Sequence, residues 1–411
     1  MRRIALFLLC ALLCGCGTRP PQADSPAESR QEMASDGGGA DNLEMTDVRE
    51  RWLSTDCVMT TEYPAYAPDV DTVTVLLDNR SEEWVETGAP FTLEVDLGQG
   101  GEFSWFRLEP VGGDELSWIA IAYTVAPGGT LALQCNLDCY DRSIFTGGHF
   151  RIVKSVGEGI CTAEFTESED APITAERPYG FRPLTEIPVD YAPETAAEEG
   201  CVVFAMGRPV QNGEAMDAFL TKASLGMSCQ LRLARFRADG TLSVEDVIHE
   251  KVPGIGGRLT YRRWENGTAE SDRYFSFLHT DGWTISLSNA LVWNDDRAGG
   301  PLPLLAGDEA APYMAAVQAW ADGLAESNAT RCRVWNGEGS ACGCLDEEPL
   351  SFSVCTPGRG MTHTVPDMPD TAEITAIDWQ DEDTLCLTVT DSLTGEEMVL
   401  LWNITSENWI S

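Results

Sequence analysis

Asp71 to Asn79, DTVTVLLDN, alternates apolar and polar residues and closes on a turn signal. That period of two marks a strand with one buried face. FTLEVDL, SWFRLEPV, WIAIAYTV and LALQCNL follow at short intervals, separated by Gly, Pro and Asp. Residues 52–156 therefore read as the short strands of a β-sandwich, with Trp105 in its core. Residues 165–199 carry many Pro and Glu without a period and read as a linker, its Tyr179 to Ile187 stretch packed on a neighbour. At Gly200 the pattern changes. CVVFAM is an apolar strand, Gly207 to Gly213 turns, and Ala215, Met216, Phe219, Leu220 and Ala223 fall at helical spacing. CQLRLARF and LSVEDVIHE follow as strands joined by Ala238-Asp239-Gly240, and Met216 and Phe219 should face the sheet formed by 201–206 and 229–236. Tyr313, Met314, Val317, Trp320 and Leu324 share one face of a second helix over 308–326, with Asp308 as its N-cap. Short strands complete the chain, ending in a hairpin that turns at Asp391 to Gly395. Trp379, Trp402 and Trp409 line this last segment and read as core.

The fold class is accordingly mainly β with α+β: an N-terminal β-sandwich, a small β-α-β-β domain, and a C-terminal helix plus β-hairpin domain. The expected limits are 51–164 for the sandwich, 165–199 for the linker, 200–305 for the middle domain and 306–411 for the last. A chain of 411 residues is long enough for several such domains.

The first residues carry an address. Arg2 and Arg3 precede the apolar Ile4 to Leu9, a pattern of export signals. This run is too short to span a bilayer, which takes about 20 apolar residues. Leu13-Cys14-Gly15-Cys16 resembles the bacterial lipobox. The resemblance implies a signal peptide over 1–15 and a lipid on Cys16, which would anchor the mature chain extracytoplasmically to the cell membrane. Cys14 fits less well, because Leu13 stands where the pattern wants a small residue. From Thr18 to Arg49 the chain is rich in Pro, Ser, Gln, Asp and Gly and has no apolar period. It reads as a disordered tether over 16–50, with a reach of roughly 30 Å.

Charge narrows the partners. The chain has 27 Lys and Arg against 66 Asp and Glu, a net charge of −39. Nucleic acid is an unsuitable partner, since that affinity comes from Lys and Arg on phosphates. The acidity reads as a solubilising surface; no Asp/Asn/Gly loop has calcium spacing. The expected partners are the membrane, through Cys16, and an envelope protein or glycan.

The sandwich segment resembles the bacterial Ig-like domains of Gram-positive lipoproteins. The residues that carry the resemblance are Tyr63-Pro64, Asn79, Phe91 to Glu94, Trp105, the turn Pro127-Gly128 and the strand opened by Gly148, with Phe150 where the family usually has Tyr. It implies a structural or binding module and no chemistry. Residues 200–295 resemble a small family of unknown function, also found in such lipoproteins, through Gly207, Asn212, Phe219, Arg232 and Gly240. Met206 replaces that family's His, which weakens any idea of a catalytic His there.

Catalytic motifs are absent from the sequence: no Gly-x-Ser-x-Gly elbow, no His-Glu-x-x-His helix and no phosphate loop. Gly254-Ile255-Gly256-Gly257 reads as a turn. Glu347-Glu348 and Asp381-Glu382-Asp383 are weak evidence for a glycosidase dyad in so acidic a chain. The reading is a non-enzymatic surface lipoprotein; the alternative is an extracytoplasmic hydrolase of wall or host glycans using Asp/Glu carboxylates. No cofactor or metal is expected, because His149, His249, His279 and His363 are scattered and Cys342-Gly343-Cys344 is tighter than the usual zinc pair. Export permits disulfides. Cys57 and Cys161 could staple the sandwich, and Cys332, Cys342, Cys344 and Cys355 form the densest group. Connectivity is left open.

Overall fold

The computed structural model describes residues 44–45, 53–98, 105–111, 121–145, 147–188, 190–208, 210–252, 255–291, 296–327, 332–345 and 348–410. The expected signal peptide at 1–15, Cys16 and nearly all of the tether at 16–50 lie outside these residues. No helix among the described residues is long and apolar enough to cross a membrane.

Two sheets face each other in the N-terminal sandwich. Thr72–Asn79 is the middle strand of the smaller sheet, between Cys57–Thr61 and Thr130–Asn136. Its alternation buries Val73, Val75 and Leu77 completely, against Leu93, Phe150 and Ile152 of the larger sheet. Asn79 is buried for a local reason: its side-chain amide donates to the carbonyls of Glu83 (2.8 Å), Val125 (2.9 Å) and Ala126 (3.1 Å). It thereby holds the turn at Pro127-Gly128, where Gly128 has φ +68°, a conformation that favours glycine. Phe150 stacks on Phe165 at 5.5 Å and needs no polar partner. The strand opened at His149 has a further partner. Gly159–Glu167 pairs with it antiparallel and turns Cys161, Ala163, Phe165 and Glu167 inward. The sandwich thus runs into the stretch read as linker, and Ile173 still belongs to its core.

The rest of that linker is also packed. Leu184, Ile187 and Tyr191, with Ala196 on α1 (Pro193–Glu198), cover one face of the middle sheet against Val203, Ala234, Val244 and Trp264. That sheet pairs Val202–Ala205 parallel with Cys229–Phe236, followed by the long antiparallel hairpin Leu242–Val252 and Gly256–Glu265. Its other face takes α2 (Glu214–Ser224), with Met216 and Phe219 buried as their spacing predicts.

The second amphipathic helix begins later than expected. α3 is Met314–Ser327, and Asp308 lies in the preceding 3-10 turn Gly307–Glu309 instead of capping it. Its Val317 and Trp320, with Tyr313 just before it, are buried in the core shared with α2 and the strands Phe277–Thr280, Thr284–Ser288 and Leu302–Ala306. The helix assigned to the C-terminal domain therefore completes the middle one. Residues 332–410 form two four-stranded antiparallel meanders, the short strands expected here with the hairpin at Asp391 to Gly395 in the second, and Phe352, Ile377, Leu385, Leu387 and Trp402 lie between them.

Candidate functional site

The first C-terminal meander runs Cys332–Trp335, Cys342–Leu345, Ser351–Thr356 and Arg359–Thr364. Its register sets Arg333 opposite Cys344, and Cys342 opposite both Trp335 and Cys355. Alternate residues of a strand share a face, so Arg333, Trp335, Cys342, Cys344 and Cys355 project together. Gly343 points the other way. A Cβ there would lie 2.6 Å from Leu385 Cδ1 and 3.0 Å from Ile377 Cδ1, so its bare backbone lets the second meander close against the first. The Cys-x-Cys spacing that looked too tight for a zinc pair is, in a strand, the spacing that aims two thiols in one direction.

The three sulfurs of Cys342, Cys344 and Cys355 all lie within 4.8 Å of one another, and the Cys342 and Cys344 sulfurs are 3.3 Å apart. Cys342 and Cys344 are buried and Cys355 is partly so. Ile255 and Trp335 wall the cluster, with Val252 and Tyr274 around them. Trp335 is fixed because its indole N–H donates to Ser276 Oγ at 2.9 Å, and that hydroxyl donates to the Arg333 carbonyl at 2.9 Å. Arg258 lies over the rings of Tyr274 and Trp335 and is neutralised by Glu250 at 2.6 Å.

Arg333 is different. It is buried, its Nε has no acceptor, and no carboxylate among the described residues pairs with it. Room for it comes from Gly256 (φ +115°), where a Cβ would stand 3.1 Å from the guanidinium. The Gly-rich stretch expected as a turn thus also opens a strand beside this site. Hydrogen bonding to Cys344 and Cys355, with burial, pushes the Cys342 thiol well up. Hydrogen bonds from Cys342 and Cys344, with the charge of Arg333, hold Cys355 well below the usual thiol range. The three sulfurs thus face one another and the Arg333 charge in an otherwise apolar wall.

The other candidate residues of the sequence sit elsewhere. Cys332 is on the opposite face, in the core between the meanders. Cys57 and Cys161 adjoin in the sandwich, with the Cys161 thiol 3.6 Å from the Cys57 carbonyl. No disulfide links described residues. His249 and His279 are buried against the carbonyls of Met227 (2.7 Å) and Ala290 (2.8 Å). His149 adjoins Glu164, and His363 packs tilted against Trp402, ring centres 4.3 Å apart. Trp402 and Trp409 pack edge to face around Phe352. Among carboxylates, Asp71 is raised by burial and by a hydrogen bond with Asp138. The two lie on an open groove of about 450 Å³ that also holds the Arg142–Glu167 ion pair. A second groove of about 390 Å³ presents Met206, which is 77% exposed, near Arg208 and Arg235. Both arginines are already paired, with Glu194 and Glu245.

No curated protein matches the chain. Among solved structures, the sporulation control protein Spo0M of Bacillus subtilis aligns over 66% of this chain and 96% of its own at 9% identity, with a TM-score of 0.17. The CsuC–CsuE chaperone–tip adhesion subunit complex from archaic chaperone-usher Csu pili of Acinetobacter baumannii aligns over 84% and 97% at 8% identity, with a TM-score of 0.17. Likenesses at this TM-score carry no fold assignment. The bacterial Ig-like domain family matches residues 54–173. These limits coincide with the observed sandwich from its first full strand to Ile173, and this part of the chain is a bacterial Ig-like domain.

Proposed function

We propose that this chain is an extracytoplasmic lipoprotein, held to the cell membrane by lipid on Cys16, that displays its Ig-like domain for binding, scaffolding or sensing at the cell surface. The observation that carries the reading is the Ig-like domain at 54–173, a module type that is typically extracellular. The lipobox-like Leu13-Cys14-Gly15-Cys16 supports the anchor, and the Pro/Ser/Gly-rich 16–50 supports display at a distance. Two or more acyl chains anchor stably at about 0.8 kcal/mol per buried methylene. The work is non-enzymatic, and the partner is an envelope protein or glycan.

Fractionation of cells expressing wild type and Cys16→Ala tests this. The wild type should sit in the membrane with a lipid adduct on Cys16, and the variant should be released, equally folded and without its cellular role. A wild-type chain that is soluble and free of lipid would contradict the anchor. A released chain that turns over peptidoglycan at ordinary enzymatic rates, about 10 per second, would replace the binding reading with a hydrolase.

A further inference from the structure

We propose that Cys342, Cys344 and Cys355 form a binding site for a soft, monovalent metal ion, copper(I), held by three thiolates beside the fixed positive charge of Arg333. This goes beyond the display role and does not depend on the anchor.

Geometry is the first support. Metal–sulfur bonds of about 2.3 Å place three sulfurs of a planar site about 4 Å apart. Here the Cys342 and Cys344 sulfurs are 3.3 Å apart and all three lie within 4.8 Å of one another, so small rotamer changes complete the triangle. Donor type is the second. Thiolates select soft ions, and no fourth His, Asp or Glu among the described residues joins the group. Structural zinc sites take four ligands; a three-sulfur set among Ile255 and Trp335 suits an ion content with three.

Arg333 is the third support. A guanidinium stays protonated, and a buried charge needs a counter-charge. With no carboxylate beside it, Arg333 takes that charge from the sulfurs. A Cys342–Cys355 disulfide would leave only the Cys344 thiol opposite Arg333, whereas a copper(I) tris-thiolate is anionic over all three sulfurs. Access is provided at Cys355, the partly exposed member, whose cross-strand neighbour Gly360 has no side chain to cover it. As the sulfurs take the ion, their protons leave to solvent, and no electron transfer is required.

The test is anaerobic titration of the reduced full-length chain with copper(I) in competition with bathocuproine disulfonate, followed by X-ray absorption at the copper edge. One equivalent should be retained, with three sulfur neighbours. Cys355→Ser should weaken retention by at least about tenfold, Arg333→Met by about tenfold, and Cys139→Ser, which removes a thiol of the Ig-like domain, should change nothing. Loss of the ion to the chelator, nitrogen or oxygen neighbours, or equal losses in Cys139→Ser and Cys355→Ser would overturn the site. Tighter, four-coordinate retention of zinc(II) in a parallel titration would overturn the assignment to copper(I). Should Cys355→Ser fail to fold, the absorption spectrum of the wild type still decides.

Discussion

In the Ig-like domain Arg151 meets Glu94 across the sheet at 2.6 Å, with Trp105 packed on the guanidinium at 4.2 Å. Arg142 pairs with Glu167. Lys154 donates to the carbonyls of Gly88, Ala89 and Pro90 at 3.0, 3.1 and 3.0 Å. Every one of these buried cations is answered by oxygen. The first C-terminal meander buries Arg333 just as deeply, with the Phe277 ring 5.8 Å from its guanidinium and the Cys344 and Cys355 thiols as its ionisable neighbours. Oxygen partners make a closed structural pair, whereas polarisable, ionisable sulfur leaves room for an exchangeable ligand. The contrast separates a module built to stand and be displayed from one with chemistry in its wall.

The sharpest break of this contrast is Arg151→Met. It leaves Glu94, almost fully buried, without its partner, and losing one member of a buried pair costs about 3–5 kcal/mol. Urea unfolding should show that loss and its recovery when Glu94→Gln is added; an unrecovered double variant would mean that Arg151 acts by packing on Trp105. Next in size is Gly343→Ala, whose new methyl meets Leu385 and Ile377. Overpacking of this kind costs about 1–3 kcal/mol, and a neutral result would show that the two meanders are not closely packed at the thiol strand.

A graded effect comes with pH. Burial pushes His249 and His279 below the ordinary 6.5, so the unfolded chain takes up these protons at higher pH than the folded one. Stability is therefore full above about pH 6.5 and falls as the pH drops below it, levelling once the folded rings also protonate. A His249→Gln, His279→Gln variant should lose that part of the slope of Tm against pH. The smallest effect is that of Arg333→Met in the metal-free, reduced protein. The thiols left behind can reprotonate, so the cost should stay within about 1 kcal/mol. A loss equal to that of Arg151→Met would erase the contrast between the two regions.

Much of the sandwich was legible because Thr72–Asn79 and its neighbours alternate cleanly and the Pro127-Gly128 turn needs the φ that glycine supplies. Gly159–Glu167 alternates too, with Cys161, Ala163 and Phe165 inward, but it escaped because its last inward position is the polar Glu167 and it runs on into a Pro/Glu-rich stretch. The apolar face of α3 was legible, but its partner was not: periodicity says which side is buried and nothing about which sheet covers it. The thiol site was hidden for a related reason. Cys355 reaches Cys342 only through hairpin register, and Cys342-Gly343-Cys344 does not have the spacing of zinc loops. Strand alternation was the available signal, since it puts both thiols on one face with Gly343 behind them.

The most direct test of the central contrast is the state of the three thiols in protein recovered from its exported location without reductant. Alkylation in denaturant with a copper(I) chelator, followed by peptide mapping, reads each cysteine separately. The account predicts that Cys342, Cys344 and Cys355 are all alkylated; a Cys342–Cys355 disulfide would contradict it, because it would consume two of the three sulfurs of the site.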